Sequence, residues 1–282
     1  MVKIISDSTC DLSQELLKKY DIDIIPLHIV KGDEELEDGP QVDIEALYEW
    51  ADENKTTPKT SAPSFETAMN VLKPYLDEGK EIICFSISGE MSTSGNVIRM
   101  AAEELEAEDN VTVIDSRNLS TGIGLLAIEA AIMAADGKTR VDIVERMEEL
   151  IPKVRASFVV DTLVYLHRGG RCSAASALIG GALALHPMIV VENGKMDASK
   201  KYRGKISKVI KNYVRDLEKD MKNALSDRVF ITHSQCDANV VDEVRQYLES
   251  LGIFEEIHET RAGGVISSHC GPGTLGVLFI AK

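Results

Sequence analysis

Four short segments concentrate hydroxyl side chains and glycines in the first half of the chain. They are SDSTC (residues 6–10), TSAPS (60–64), SISGEMSTSGN (86–96) and DSRNLSTGIG (115–124). Three of them, all but TSAPS, directly follow an apolar run that reads as a strand. In an open α/β sheet the carboxyl ends of strands and the loops after them form the ligand crevice, so the four segments are expected to face one another there. Hydroxyls and helix N-terminal amides can hold an anion through hydrogen bonds and the helix dipole, with no basic side chain required. The chemistry to expect is recognition of a small anion such as a carboxylate. The second half adds YLHRGGR (165–171) and HCGPGTLGV (269–277), where Gly271 and Gly273 around Pro272 either let backbone approach a ligand or form an ordinary turn into a last strand.

Other chemistries find less support. GIGLLA (122–127) spells GxGxxA, but residues 116–121 separate it from the preceding strand, so the glycines are read as helix-packing positions rather than a dinucleotide turn. No GxxxxGK[ST] loop is present, and the six histidines, at 28, 167, 186, 233, 258 and 269, show no metal-binding spacing. No cofactor and no metal are expected. A serine nucleophile stays open, because Ser92 or Ser94 could converge with His269 and Asp7, although GEMSTSG does not spell the GxSxG elbow.

The elements that must position these groups alternate along the whole chain, which predicts an α/β fold. Strands are expected over 2–6, 22–30, 81–86, 111–115, 158–161, 188–191, 228–233, 254–260 and 274–281. Helices are expected over 13–20, 43–54, 64–77, 93–107, 119–135, 142–154, 174–184, 205–225 and 238–251, with Gly137 and Gly252 as left-handed terminators. A boundary near 153–157 divides the chain into 1–155 and 156–282. The apolar segments ALIGGALAL (177–185) and GLLAIEAAIMAA (124–135) either pack as core or wall a cavity beside the polar crevice.

The chain has 282 residues, 44% of them hydrophobic, and a formal charge of −15. That size supports a substantial core, and that charge argues against nucleic acid or an anionic membrane face as partner. The start lacks the pattern of an export signal, no apolar stretch reaches membrane-spanning length, and the five cysteines are scattered and odd in number; a cytoplasmic location is expected. Residues 31–53 hold ten acidic residues and one lysine, and 195–222 hold ten basic and four acidic. Both read as solvated helix faces and a loop, or as docking surfaces for a partner protein.

Taken in order, SDSTCDL, TSAPS, SISGEMSTSGN, DSRNLSTGIG, TLVYLHRGGR, GGALALHPMI and HCGPGTLGV resemble the DegV family of bacterial fatty-acid-binding proteins over essentially the full length. The resemblance implies a two-domain α/β architecture, each half a sheet flanked by helices, with a long-chain fatty acid enclosed between them. It implies that Thr60 and Ser92 bind the ligand carboxylate, and that Arg171, Arg203 and His269 stand at the pocket mouth or contact a partner. That partner would be a fatty-acid kinase, which phosphorylates the presented carboxylate to an acyl phosphate for lipid metabolism. The chain departs from the family pattern in reading MSTS where LSGT is common, and in having Gly95 where an aromatic is frequent; the serine is retained. A non-catalytic carrier is therefore the leading expectation. The alternatives are a serine hydrolase or acyltransferase acting on lipid esters through Ser92 and His269, and a soluble interaction protein.

Overall fold

A computed structural model describes residues 1–172 and 185–282. The helix expected over 174–184 falls outside the described residues, as does most of the apolar segment 177–185. In chain order the elements are β1 (Val2–Asp7), α1 (Gln14–Lys19), β2 (Ile22–Ile25), β3 (His28–Lys31), β4 (Glu34–Glu37), α2 (Ile44–Asn54), β5 (Lys59–Ser61) and α3 (Phe65–Asp77). Then come β6 (Glu81–Ser86), α4 (Ser94–Glu104), β7 (Val111–Asp115), α5 (Thr121–Ala135), α6 (Arg140–Leu150), β8 (Val154–Val159) and α7 (Val164–Gly169). The chain continues through β9 (Leu185–Glu192), β10 (Lys195–Arg203), α8 (Ile206–Asp216), α9 (Glu218–Met221), β11 (Ala224–Ser234), α10 (Ala238–Leu251), β12 (Glu256–Arg261), α11 (Gly264–Cys270) and β13 (Thr274–Ala281).

These strands build a parallel four-stranded sheet of order β2-β1-β6-β7 and a mixed six-stranded sheet of order β10-β9-β8-β13-β11-β12. A small antiparallel sheet, β4-β3-β5, sits beside them. The protein is a two-domain α/β fold in layers. Helices α3 and α4 cover one face of the parallel sheet through Ala68, Leu72, Ile98 and Ala101. Helices α8 and α10 cover the outer face of the mixed sheet through Val209, Tyr213, Val241 and Val244. Between the two sheets lies α5, buried continuously from Thr121 to Ile128, and one apolar cluster joins it to Ile83 and Phe85 on one side and Phe158 and Leu278 on the other. A helix apolar all round has to be buried all round, and here a sheet lies on each side of it.

Local chemistry explains the helix ends. Asp43, Ser64 and Asp237 each accept first-turn amides, and Thr139 forms a capping box with Asp142. Helix α6 therefore starts at Arg140, two residues before the expected position. Gly252 closes α10 at φ 60°, and Gly137 follows α5 at φ 76°. Among the described residues no helix is long and apolar enough to cross a membrane.

The structure corrects several expectations. The strand expected over 22–30 is two strands in different sheets, broken at Pro26, which has no N–H for a ladder. The basic stretch 195–222, expected as helix face and loop, begins with β10, an edge strand that buries Met196 and Tyr202 and turns lysines to solvent, where they oppose edge-to-edge pairing. The long helix over 205–225 is α8 and the short α9, and β11 already starts at Ala224. Strands β4, β5 and β10 and helices α7 and α11 are not among the expected elements.

Candidate functional site

The ends of these elements surround a cavity of about 480 Å³ between the two sheets. Three of the four hydroxyl-rich segments reach it: Thr60, Ser61 and Ala62; Ile87 and residues 89–93; and Leu119 and Ser120. From the other side come Phe158 of β8, Met196 of β10, Thr232 and Ser234 of β11, and Thr274, Gly276 and Leu278 of β13. Alternation along β13 accounts for the last three. Thr274, Gly276 and Leu278 face the cavity, while Leu275, Val277 and Phe279 enter the core under α8 and α10. Leu27, Ile87, Leu119, Phe158, Leu166, Met196 and Leu278 supply the cavity's apolar wall, and one polar end lies where Thr60 of β5 meets His269 of α11. An apolar chamber with a few convergent polar groups is the form of a site for an amphipathic small molecule.

At that polar end Thr60 Oγ1 and His269 Nε2 share a hydrogen bond of 2.7 Å. The other ring nitrogen of His269 is sealed from solvent and has no hydrogen-bond partner among the described residues. Gly169, at the end of α7, makes room for the ring: a Cβ there would lie 2.2 Å from His269 Nδ1. Burial, followed by the nearby positive charge of Arg171, pushes the imidazole down to about 4, so it is neutral near pH 7. Arg171 donates to the carbonyls of Gly169 at 2.7 Å and Met91 at 3.4 Å. No carboxylate among the described residues pairs with its guanidinium. A cation without a counter-ion, beside neutral hydroxyls and an imidazole, is matched by an incoming anion.

The first segment, SDSTC, does not line the cavity but stands behind it. Asp7 is buried and accepts four hydrogen bonds, from Thr9 N and Oγ1, Ile87 N and Ser94 Oγ. It thereby fixes the start of the loop that carries Ser92. Burial still holds its carboxyl above the ordinary range, against the lowering effect of those donors. Ser92 accepts from Ser94 N at 3.2 Å. Ser120 sits at φ 52°, ψ −146°, a region costly for a side-chain-bearing residue, and gives its hydroxyl to Asp11 at 2.5 Å. At the far end of α11, Gly271 turns the chain at φ 78°, where a Cβ would meet Tyr165 Cδ2 at 2.6 Å.

Of the five residues expected at the site, the fold brings four to the cavity: Thr60, Ser92, Arg171 and His269. Arg203 is not among the lining residues; it stands exposed at the end of β10, paired with Leu185. The serine triad is not assembled. His269 bonds to Thr60, no carboxylate among the described residues orients its Nδ1, and Asp7 is occupied by Thr9, Ile87 and Ser94. Sequence reasoning missed Gly169, Asp11 and Asp38. Gly169 lies inside RGGR and Asp11 inside SDSTCDL, so signals existed, but only the folded contacts give them a role.

Fold and cavity define a binding protein of the α/β class, with a chamber suited to an apolar chain bearing an anionic head. The chain belongs to the DegV family: a family profile described as "Uncharacterised protein, DegV family" matches residues 1–282. A DegV domain-containing protein of Clostridium perfringens is 31% identical over 281 residues, covering 100% of this chain and 99% of that one. Among solved structures, the fatty-acid-binding DegV family protein of Thermus thermophilus superposes with a TM-score of 0.91 at 27% identity, covering 100% of this chain and 99% of its own. A stearic-acid-binding protein of Eubacterium ventriosum gives 0.87 at 29% identity, with 100% and 99% covered.

Proposed function

We propose that this protein is a non-catalytic carrier that holds a long-chain fatty acid, with the tail in the cavity and the carboxylate at Thr60 and Ser92. The two halves, 1–155 and 156–282, act as opposite walls. The observation that carries the reading is that Thr60, Ser92, His269 and Arg171, whose guanidinium pairs with no carboxylate among the described residues, line one chamber together with Leu27, Ile87, Phe158, Leu166, Met196 and Leu278. The fatty-acid-binding relatives support it. A saturated chain of about 16 carbons gains on the order of 10 kcal/mol by leaving water, before ordering costs, so the tail supplies affinity and the head orientation. Neutral hydroxyls orient the carboxylate, and Arg171, anchored on the Gly169 and Met91 carbonyls, supplies the positive charge beside it.

The carrier works in the cytoplasm with no cofactor and presents the carboxylate to a fatty-acid kinase, Arg171 and Arg203 contacting the partner. Organic extraction and mass spectrometry of the purified protein should release a stoichiometric fatty acid, and Thr60→Val with Ser92→Ala should lower its retention. Protein that is empty and also ignores added fatty acid sinks the reading. For the kinase step, Ala at Arg171 and Arg203 should reduce acyl phosphate formation in a coupled assay; unchanged formation removes their role.

A further inference from the structure

We propose that Asp11 and Asp38 are positioning residues for the carboxylate end of the cavity, clamping the N-terminus of α11 and so setting where His269 meets Thr60. The inference rests on the carrier reading above, in which that end of the cavity receives the ligand head. Helix α11 has seven residues and no side-chain cap of its own, since its N-cap is Gly263. A helix so short does not hold itself in place, and its first amides need partners. Two carboxylates from distant parts of the chain provide them. Gly263 N donates to Asp11 Oδ1 and Gly264 N to Asp38 Oδ1, both at 2.8 Å.

Each carboxylate is itself held at its second oxygen. Ser120 Oγ donates to Asp11 Oδ2 at 2.5 Å, and Ser8 Oγ to Asp38 Oδ2 at 2.8 Å. Ser8 Oγ also accepts from Leu27 N at 3.1 Å, tying the clamp to the strand-end backbone of the first half. The approach needs glycine. A Cβ on Gly264 would lie 2.4 Å from Ile29 Cδ1, 2.9 Å from Val42 Cγ1 and 3.0 Å from Asp38 Oδ1. Near the other end of this helix, His269 is its contribution to the polar end of the cavity, and a site group has to be held within a fraction of an ångström by the shell behind it.

The test uses the full chain with isotope-labelled histidine. In ligand-free protein, Asp11→Ala and Asp38→Ala should move the His269 imidazole resonances and weaken palmitate binding about tenfold. Asp38→Asn keeps an oxygen facing Gly264 N and should recover most of that affinity. In a His269→Ala background, Asp38→Ala should cost less than about twofold, because the clamp then has no imidazole to place. Unmoved resonances together with additive losses overturn the proposal. If Asp38→Ala does not fold, Ser8→Ala releases Asp38 Oδ2 with the carboxyl still present, and unmoved resonances in that variant overturn it equally. Wild-type protein that binds no palmitate defeats the carrier reading instead, while the ligand-free resonances still decide the clamp.

Discussion

At the scale of single residues, His269 and Asp11 pull the pH dependence of stability in opposite directions. An unfolded imidazole takes its proton near 6.5, whereas folded His269 resists protonation down to about 4. Unfolding therefore binds a proton in that interval, and this contribution to stability is lost as pH falls through it. Burial pushes Asp11 up to about 8 from an ordinary 3.8, so its folded carboxyl keeps a proton that the unfolded chain has released. That contribution is complete at low pH and is lost as pH rises through the interval. Between about 4 and 6.5 the two contributions oppose each other, and from 6.5 to about 8 only that of Asp11 remains. In urea-unfolding midpoints measured across pH, His269→Asn should make stability fall more steeply with rising pH in the lower window, and Asp11→Asn should flatten the fall in the upper one; a variant that leaves its window unchanged refutes the assignment. The pocket gives His269 a second signature. A bound carboxylate next to the imidazole favours the cation, so loading with palmitate should raise the histidine titration midpoint seen by NMR.

Among the elements, α5 shows how packing can outweigh propensity. Gly→Ala inside a helix ordinarily stabilises by about 0.5–1 kcal/mol. At Gly124, however, a Cβ would meet Leu12 Cδ2 at 2.7 Å and the Cys10 carbonyl at 3.1 Å. Overpacking of this kind costs about 1–3 kcal/mol, so Gly124→Ala should lower the urea midpoint; an increase would show that the segment around Leu12 yields freely. Such contacts also set what the sequence could disclose. Strands β6, β7 and β13 and helix α10 were readable residue for residue, because each carries its own apolar pattern and its own stop signals. Strands β4 and β5 are short, and β10 alternates only weakly among lysines, so their existence depends on partners elsewhere in the chain. Helix α11, GVISSHC, has no apolar period, and carboxylates more than 200 residues away hold its first amides. Three of the four hydroxyl-rich motifs reach the cavity, since hydroxyls and glycines after strands are visible in one dimension, while SDSTC stands behind it and Arg203 lies outside it. The motifs could not disclose Gly169 under the His269 ring, or that Asp11 and Asp38 meet at one helix end, because those relations exist only after folding.

For the whole molecule, the net charge of −15 and the anionic head of the proposed ligand stand in apparent conflict. Distance resolves it. At physiological ionic strength charges more than about 8 Å apart are largely screened, whereas Thr60, Ser92, His269 and Arg171 act at hydrogen-bonding range. The binding energy then has to come from the tail, which both sheets enclose. Shortening a saturated acid by four methylenes removes about 3 kcal/mol of transfer energy, a weakening of about two orders of magnitude. Replacing the carboxylate by an alcohol of the same length forfeits only the charge-assisted part of a few hydrogen bonds, about 1–3 kcal/mol. Calorimetric titration with dodecanoate, palmitate and hexadecanol should therefore rank the short acid as the weakest or equal weakest of the three. If dodecanoate instead binds as tightly as palmitate while the alcohol does not bind, the head dominates, and the cavity between the sheets is not where the affinity of this carrier arises.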